Sequence, residues 1–166
     1  MEFNGKAFKF GNDVNTDYII SGKYKFKTLD MRELAKHVME DLDADFHSKI
    51  TKGDFIIAGT NFGCGSSREQ APLAIKYADV SAVLAKSFAR IFYRNAINTG
   101  LPVVECDTDL IDAGDELTVD LAAGVINNKT KNITIPVKPL PAVMIKILND
   151  GGLAAHFQKY GGFNFN

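Results

Sequence analysis

The amino-acid sequence predicts one compact α/β domain with a mixed sheet and flanking helices over residues 1–166. Three observations predict this class. Short apolar runs alternate with helical patterns between residues 54 and 106, which is typical of βα units. Alternating apolar residues on either side of that region predict additional strands. A chain of 166 residues can bury about 70% of its surface, which is enough for one apolar core.

The N-terminal third is expected to hold one strand and one helix. Residues 7–10 alternate and predict a strand, whereas residues 13–28 are polar and predict an irregular segment. Asp30 is placed to cap a following helix, with Leu29 and Leu34 as a hydrophobic staple. The apolar stripe of that helix is expected at Met31, Leu34, Val38 and Leu42.

The next elements surround a glycine-rich turn. Residues 54–58 predict a buried strand, which leads into the turn over residues 59–69. Ser66 and Glu69 have the spacing of a capping box, so a helix is expected from Ser66 to about Tyr77. Pro72 lacks the N–H that a helix interior needs. Either this helix kinks, or its regular part begins near Pro72.

The C-terminal half combines strands and helices. Residues 81–85 and 101–106 predict strands on either side of a helix over residues 88–98. Ser87 is the expected cap of that helix, and Gly100 is its expected end. Alternation over 117–121 and 133–137 predicts antiparallel strands. A helix over 142–148, stopped at Gly151-Gly152, and a short helical tail complete the prediction.

Composition and charge exclude several classes of protein. The formal net charge of −1 and the absence of a basic run give no field that would bind nucleic acid. No apolar stretch reaches the roughly 20 residues of a membrane span, and no signal-like segment opens the chain, so the cytoplasm is expected. Cys64 and Cys106 are too few for a structural zinc site. Residues 61–100 hold five basic and two acidic residues, which favours an anionic small molecule there.

The segment Phe62–Glu69 is the strongest candidate site. Its glycines, two hydroxyls and the Arg68 guanidinium stand where a helix is expected to begin, an arrangement that favours an anion. It lacks the Lys of a Walker loop and the third Gly of a dinucleotide fingerprint. The alternative is that Ser66 is only a cap. Arg90 and Arg94, four residues apart, either face the same anion or form a solvated surface.

Several segments together match the motifs of a known family. They are Gly63-Cys64-Gly65-Ser66-Ser67-Arg68-Glu69-Gln70-Ala71-Pro72, Lys86-Ser87-Phe88-Ala89-Arg90-Ile91-Phe92, Asn95, Gly100-Leu101-Pro102, Asn15-Thr16-Asp17-Tyr18-Ile19-Ile20 and Asp150-Gly151-Gly152-Leu153. With these segments the chain resembles the small subunit of the isopropylmalate isomerase and homoaconitase family. The resemblance implies the swivelling β/β/α domain of the aconitase superfamily.

The resemblance also implies a hydro-lyase subunit that is active only with a larger partner. Family members isomerise 2-hydroxy acids by dehydration and rehydration, and the large subunit holds a four-iron, four-sulfur cluster that acts as a Lewis acid. By motif position, Ser66 is the expected catalytic residue, and Ser67 and Arg68 are expected substrate contacts. This chain, with two cysteines, is expected to bind no cluster itself. The expected assembly is a heterodimer or heterotetramer.

Substrate choice in this family is associated with the loop that here includes Tyr24, Lys25, Phe26 and Lys27. Phe26 suits an alkyl group, whereas Lys25 or Lys27 suits an extra carboxylate. Isopropylmalate, in leucine biosynthesis, is the leading expectation; homoaconitate and a methyl-substituted malate are the alternatives. We expect the loop to be mobile in the isolated subunit. A different class of function is a dicarboxylate-binding module without catalysis.

Overall fold

The computed structural model describes residues 1–25 and 30–162, and its centre is a seven-stranded mixed sheet. The strands are β1 (Glu2–Lys9), β2 (Phe55–Ala58), β3 (Ala82–Ala85), β4 (Val103–Glu105), β5 (Glu116–Asp120), β6 (Val125–Asn128) and β7 (Ile133–Pro136). The helices are α1 (Thr16–Ile19), α2 (Gly22–Lys25), α3 (Met31–Ala35), α4 (Phe46–Lys49), α5 (Gln70–Tyr77), α6 (Arg90–Thr99), α7 (Ala142–Asn149) and α8 (Leu153–Tyr160). The predicted α/β class with a mixed sheet and flanking helices is confirmed.

The sheet has a parallel half and an antiparallel half, which β1 joins. The strand order is β4-β3-β2-β1-β5-β6-β7. Residues Ala7–Lys9 of β1 pair in parallel with Phe55–Ile57, and Glu2–Lys6 pair antiparallel with Glu116–Asp120. Because both halves share β1, their buried side chains form one apolar cluster.

The sequences of β2 and β3 do not alternate between apolar and polar residues, because these strands are buried. All four residues of β2 and all four of β3 are buried, because the parallel half is covered on both faces. In β5 only Leu117 and Val119 are buried, so the alternation of that strand marks one covered face.

Among the described residues, the structure contains no helix with both the length and the apolar character of a membrane span.

Several predicted elements in the N-terminal third are wrong or incomplete. The segment predicted to be irregular contains α1 and α2. Asp30 caps α3, since its side chain accepts the Arg32 N–H at 2.9 Å, as predicted. However, α3 ends at Ala35, the backbone turns left-handed at Met39 (φ 59°), and Leu42 is exposed rather than on an apolar stripe. Leu29, predicted for the staple, lies outside the described residues.

Two predicted serine caps are wrong. Helix α5 begins at Gln70, and Glu69 rather than Ser66 occupies its N-cap position. Pro72 is therefore the third helical residue, where a missing N–H costs no intrahelical bond, so the prediction of a helix beginning near Pro72 is confirmed. Ser87 does not cap α6. Its hydroxyl instead accepts the Asn61 N–H at 2.8 Å, and α6 starts at Arg90.

The C-terminal half follows the prediction more closely. Gly100 ends α6 in the left-handed conformation, with φ 89°. Helix α7 and the helical tail, α8, form on either side of Gly151-Gly152. The antiparallel region contains one strand more than the two alternating runs predict, because Val125–Asn128 pairs with both β5 and β7.

Candidate functional site

The glycine-rich loop follows β2 and is fixed on both sides by backbone hydrogen bonds. On one side, the Gly63 N–H donates to the Val14 carbonyl at 2.7 Å, and the Thr16 N–H donates to the Cys64 carbonyl at 2.9 Å. On the other side, Phe62 and Ala89 are bonded at 2.9 Å, from the Ala89 N–H to the Phe62 carbonyl. The loop is thus held between the segment that leads into α1 and the start of α6.

Gly63 allows the loop to lie directly against α6. Its φ is +82°, and a Cβ at this position would come within 2.1 Å of the Phe92 side chain. Phe92 in turn packs edge-on against Phe62, with ring centroids 5.2 Å apart. No residue with a side chain fits both the conformation and the space, so the glycine is a requirement of the local packing.

A pocket of about 230 Å³ lies between this loop and the N-terminal turn of α6. It is lined on one side by Thr16, Gly63, Gly65, Ser66, Ser67 and Arg68, and on the other by Ala89, Arg90, Ile91, Phe92 and Asn95. Ser66 and Ser67 are exposed, and neither hydroxyl bonds to another described residue. The structure therefore brings together three of the predicted site residues, Ser66, Ser67 and Arg68.

Arg68 is oriented by α1. One guanidinium nitrogen, Nη1, lies 2.6 Å from Asp17 Oδ1 and 3.5 Å from the Ile20 carbonyl oxygen. The Arg68 side chain is 19% exposed and that of Asp17 is 61% exposed, so the pair lies at the edge of the pocket. The Thr16 hydroxyl also donates to the Ser66 carbonyl at 2.9 Å. Two neighbouring residues of α1 thus hold two residues of the loop.

Arg90 and Arg94 differ in their surroundings. The sequence left open whether they face the anion or form a solvated surface. Arg90 lines the pocket, whereas Arg94 does not. Both side chains are exposed, and neither forms an ion pair with a described residue. The anion-facing alternative therefore fits Arg90, and the solvated alternative fits Arg94.

Tyr24 lies in a separate cluster and does not line the pocket. Its hydroxyl donates to Glu40 Oε1 at 2.5 Å, and its ring stacks on His37 with centroids 3.8 Å apart. The hydrogen bond to Glu40 raises the pKa of the Tyr24 hydroxyl. Burial alone would raise the pKa of Glu40, but hydrogen bonds with Tyr24 and His37 outweigh it and lower that pKa.

Of the other residues of the predicted substrate loop, the structure describes only Lys25. Lys25 ends α2, and Phe26 and Lys27 lie outside the described residues. The expected contacts of Lys25, Phe26 and Lys27 with substrate, and the expected mobility of the loop, stay predictions.

The two cysteines are fewer than the four thiolates that hold a four-iron, four-sulfur cluster. Burial raises the pKa of the Cys106 thiol to about 12, so this thiol is protonated at neutral pH. Cys64 is a free cysteine in the glycine-rich loop. Across residues 1–25 and 30–162, no group of three or more His, Cys, Asp or Glu residues could hold a metal ion.

Two features of the site were not predicted from the sequence. One is the Asp17–Arg68 ion pair, although Asp17 belongs to a segment that resembles a motif of the family. The other is the contact of Tyr24, which was assigned to the substrate, with Glu40, 16 residues away in the chain. Both contacts join segments distant in sequence, so no local pattern indicates them.

Comparisons with known proteins identify the family of this chain. The family described as "Aconitase C-terminal domain" matches residues 13–108. A protein of Archaeoglobus fulgidus named "3-isopropylmalate dehydratase small subunit 2" is 62% identical over 161 residues, which cover 97% of this chain and 98% of that protein. A "Methanogen homoaconitase small subunit" of Methanothermobacter thermautotrophicus is 53% identical, covering 93% of this chain and 90% of that protein.

A solved structure shares the whole architecture. The crystal structure of a 3-isopropylmalate dehydratase from Methanocaldococcus jannaschii superposes with a TM-score of 0.92 at 50% sequence identity. The superposition covers 97% of this chain and 96% of that one.

Proposed function

The chain belongs to the aconitase C-terminal domain family, among the small subunits of 3-isopropylmalate dehydratase, and from this membership we propose that it forms one side of a hydro-lyase active site. In this proposal the complete enzyme isomerises a 2-hydroxy dicarboxylate, 2-isopropylmalate, by dehydration and rehydration in leucine biosynthesis, and it acts in the cytoplasm. The observation that supports this most strongly is the exposed Ser66 hydroxyl in a pocket shared with the Arg68 guanidinium.

Ser66 is the group that we assign to proton transfer. Dehydration next to a carboxylate requires removal of a carbon-bound proton, and a serine hydroxyl is a weak base unless its alkoxide is stabilised. The first turn of α6 lines the same pocket as Ser66, and amides at a helix N-terminus favour negative charge. The lack of a hydrogen bond from the Ser66 hydroxyl to any described residue leaves it available to the substrate.

Ser67 and Arg68 are assigned to a substrate carboxylate. A guanidinium has five N–H donors in a planar fork, so the contacts of Nη1 with Asp17 and Ile20 leave donors for a second carboxylate. The exposed Ser67 hydroxyl lies next to Arg68 in the chain and can donate to the same group.

The partner subunit supplies what this chain lacks. Ser66 and Ser67 are open to solvent, whereas electrostatic stabilisation of an alkoxide is effective only where water is excluded. We assign the cover to the large subunit, in a heterodimer or heterotetramer. A four-iron, four-sulfur cluster on that subunit would act as the Lewis acid for the leaving hydroxyl.

The loop that includes Tyr24, Lys25, Phe26 and Lys27 is assigned to substrate choice. Tyr24 has its hydroxyl bonded to Glu40, so its contribution is to fix the start of this loop. The homoaconitase subunit among the relatives makes homoaconitate the second candidate substrate.

Reconstitution with the large subunit tests the proposal. We expect the isolated chain to be inert and the complex to turn over 2-isopropylmalate with a higher kcat/KM than homocitrate or a methyl-substituted malate. Preference for homocitrate would favour the homoaconitase alternative. Binding of a dicarboxylate by the isolated chain, with no turnover in the complex, would instead indicate a binding module.

A further inference from the structure

Arg90 is one of two charged side chains that line the pocket of about 230 Å³ that contains Ser66. The other is Arg68, and the remaining lining residues are uncharged. Arg68 is already paired with Asp17 at 2.6 Å, whereas Arg90 has no ion pair or side-chain hydrogen bond with any described residue. Arg90 also stands at the first position of α6, where the backbone amides favour an anion.

The difference in ion pairing between Arg68 and Arg90 is important because the proposed substrate is negatively charged. A 2-hydroxy dicarboxylate has two negative charges, and the Arg68–Asp17 pair together has none. Without another cation, the residues of this chain would bring no net positive charge to the two carboxylates. Arg90 supplies that charge from the first position of α6, whereas Ser66 and Arg68 line the same pocket from the glycine-rich loop.

We propose that Arg90 is a substrate-binding residue that holds the carboxylate at the other end of the molecule from the one held by Arg68. This inference rests on the proposed function and adds a residue to it. Two guanidinium groups that line one pocket from two different elements can fix both ends of a dicarboxylate, and the carbon between them is then held in the pocket that Ser66 also lines.

The position of Arg90 offers one competing role. Arg90 also borders a second, larger cavity of about 410 Å³, whose lining includes Phe88, Tyr93, Leu140 and Met144. A partner subunit that docks there could place a carboxylate on Arg90. The experiment must therefore separate substrate binding from subunit association.

Arg94 provides the matched control, because it has the same charge, lies one turn further along α6 and does not line the pocket. In the reconstituted complex, we expect Arg90→Gln to lower kcat/KM for 2-isopropylmalate by about 10- to 100-fold, the range for a lost hydrogen bond to a charged group. Arg94→Gln should match the wild type. Titration of one subunit with the other should give the same affinity for all three proteins.

Inhibition constants for malate and its two mono-amides identify the group that Arg90 contacts. The wild-type complex should bind malate more tightly than either amide. In Arg90→Gln, the preference for malate should disappear for one amide and persist for the other. Unchanged kcat/KM, unchanged amide preferences, or a defect confined to subunit association would each overturn the role of Arg90. An inactive wild-type complex would instead overturn the proposed function.

Discussion

The position of Ser66 is fixed by contacts with neighbouring segments, and Ser66 does not begin a helix. The backbone carbonyl of Ser66 accepts hydrogen bonds from Thr16 and Arg68, whereas its hydroxyl is exposed at the pocket. Its side chain therefore contributes little to the fold. A serine held by its backbone and free at its hydroxyl is suited to chemistry, because substitution of the side chain leaves the loop in place.

Ser66→Ala should abolish turnover without destabilising the protein. We expect kcat of the reconstituted complex to fall by several orders of magnitude, and the free energy of unfolding to change by less than about 0.5 kcal/mol, as for a surface position. Ser67→Ala is the control, since loss of a binding hydroxyl should mainly raise KM. A Ser66→Ala enzyme with more than a tenth of wild-type kcat would contradict the proton-transfer role.

Asp17→Asn should misalign Arg68 while preserving its charge. The substitution removes the ionic contact at 2.6 Å and leaves the Ile20 carbonyl, at 3.5 Å, as the remaining orienting contact among the described residues. We expect kcat/KM to fall by about 10- to 100-fold, because small displacements of a positioning group are costly. The stability change should stay under about 1 kcal/mol, since Asp17 is largely exposed. Steady-state kinetics and urea unfolding measure the two effects, and wild-type kinetics would refute the positioning role.

At the scale of elements, the pair of helices α7 and α8 is joined by a buried polar contact. His156 is completely buried, and its Nδ1 lies 2.7 Å from Asp150 Oδ2. Lys159 Nζ lies 3.3 Å from the other carboxylate oxygen of Asp150. From α5, Lys76 Nζ donates to the carbonyls of Thr99 and Gly151, at 3.0 and 3.2 Å. These contacts hold the turn between α7 and α8 against the end of α6.

The Asp150 contact makes part of the stability dependent on pH. The hydrogen bond with His156 holds the pKa of Asp150 below its ordinary value, although burial alone would raise that pKa, and Lys159 lowers it further. A carboxylate with a lowered folded-state pKa stabilises the protein above its unfolded pKa, near 3.9, and loses this contribution as the pH falls through the folded value. Asp150→Asn should therefore lower Tm at pH 7, and the difference from wild type should shrink below about pH 4. A difference in Tm that is constant from pH 7 to pH 3 would contradict this account.

At the scale of the whole molecule, β1 determines whether the two halves of the sheet fold together. It pairs with β2 through one part of its length and with β5 through the other. Gly5 lies where the turn before β2 crosses this strand, and a Cβ there would come within 2.3 Å of the Gly53 carbonyl oxygen. The close approach of backbone to backbone accounts for the glycine.

Gly5→Ala should lower the stability of both halves in a single transition. The added methyl group displaces the turn from β1, at a cost of about 1–3 kcal/mol for overpacking. Gly11→Ala is the control, because a Cβ at Gly11 has no atom within 4 Å. Urea unfolding followed by circular dichroism and by tyrosine fluorescence should give one coincident midpoint, shifted in Gly5→Ala. Separate midpoints for the two probes would show that the halves unfold independently.

The sequence by itself determined the class of fold and the residues of the glycine-rich loop. Buried strands such as β2 and β3 appear as short apolar runs, and the end of α6 appears as Gly100, because these features depend on neighbouring residues. The residues Ser66, Ser67 and Arg68 were likewise evident from a contiguous motif, which the structure brings to one pocket.

Only the tertiary structure decided how these residues are arranged. Helix α5 begins at Gln70 and not at Ser66, where the sequence predicted its start. The reason is that the loop is bonded to α1 and packed on Phe92, and those contacts hold it in a non-helical conformation. The tertiary structure also separated Arg90 from Arg94 and paired Arg68 with Asp17, across about 50 residues of chain. Contacts between segments distant in sequence leave no periodic pattern, so their geometry follows only from the folded chain.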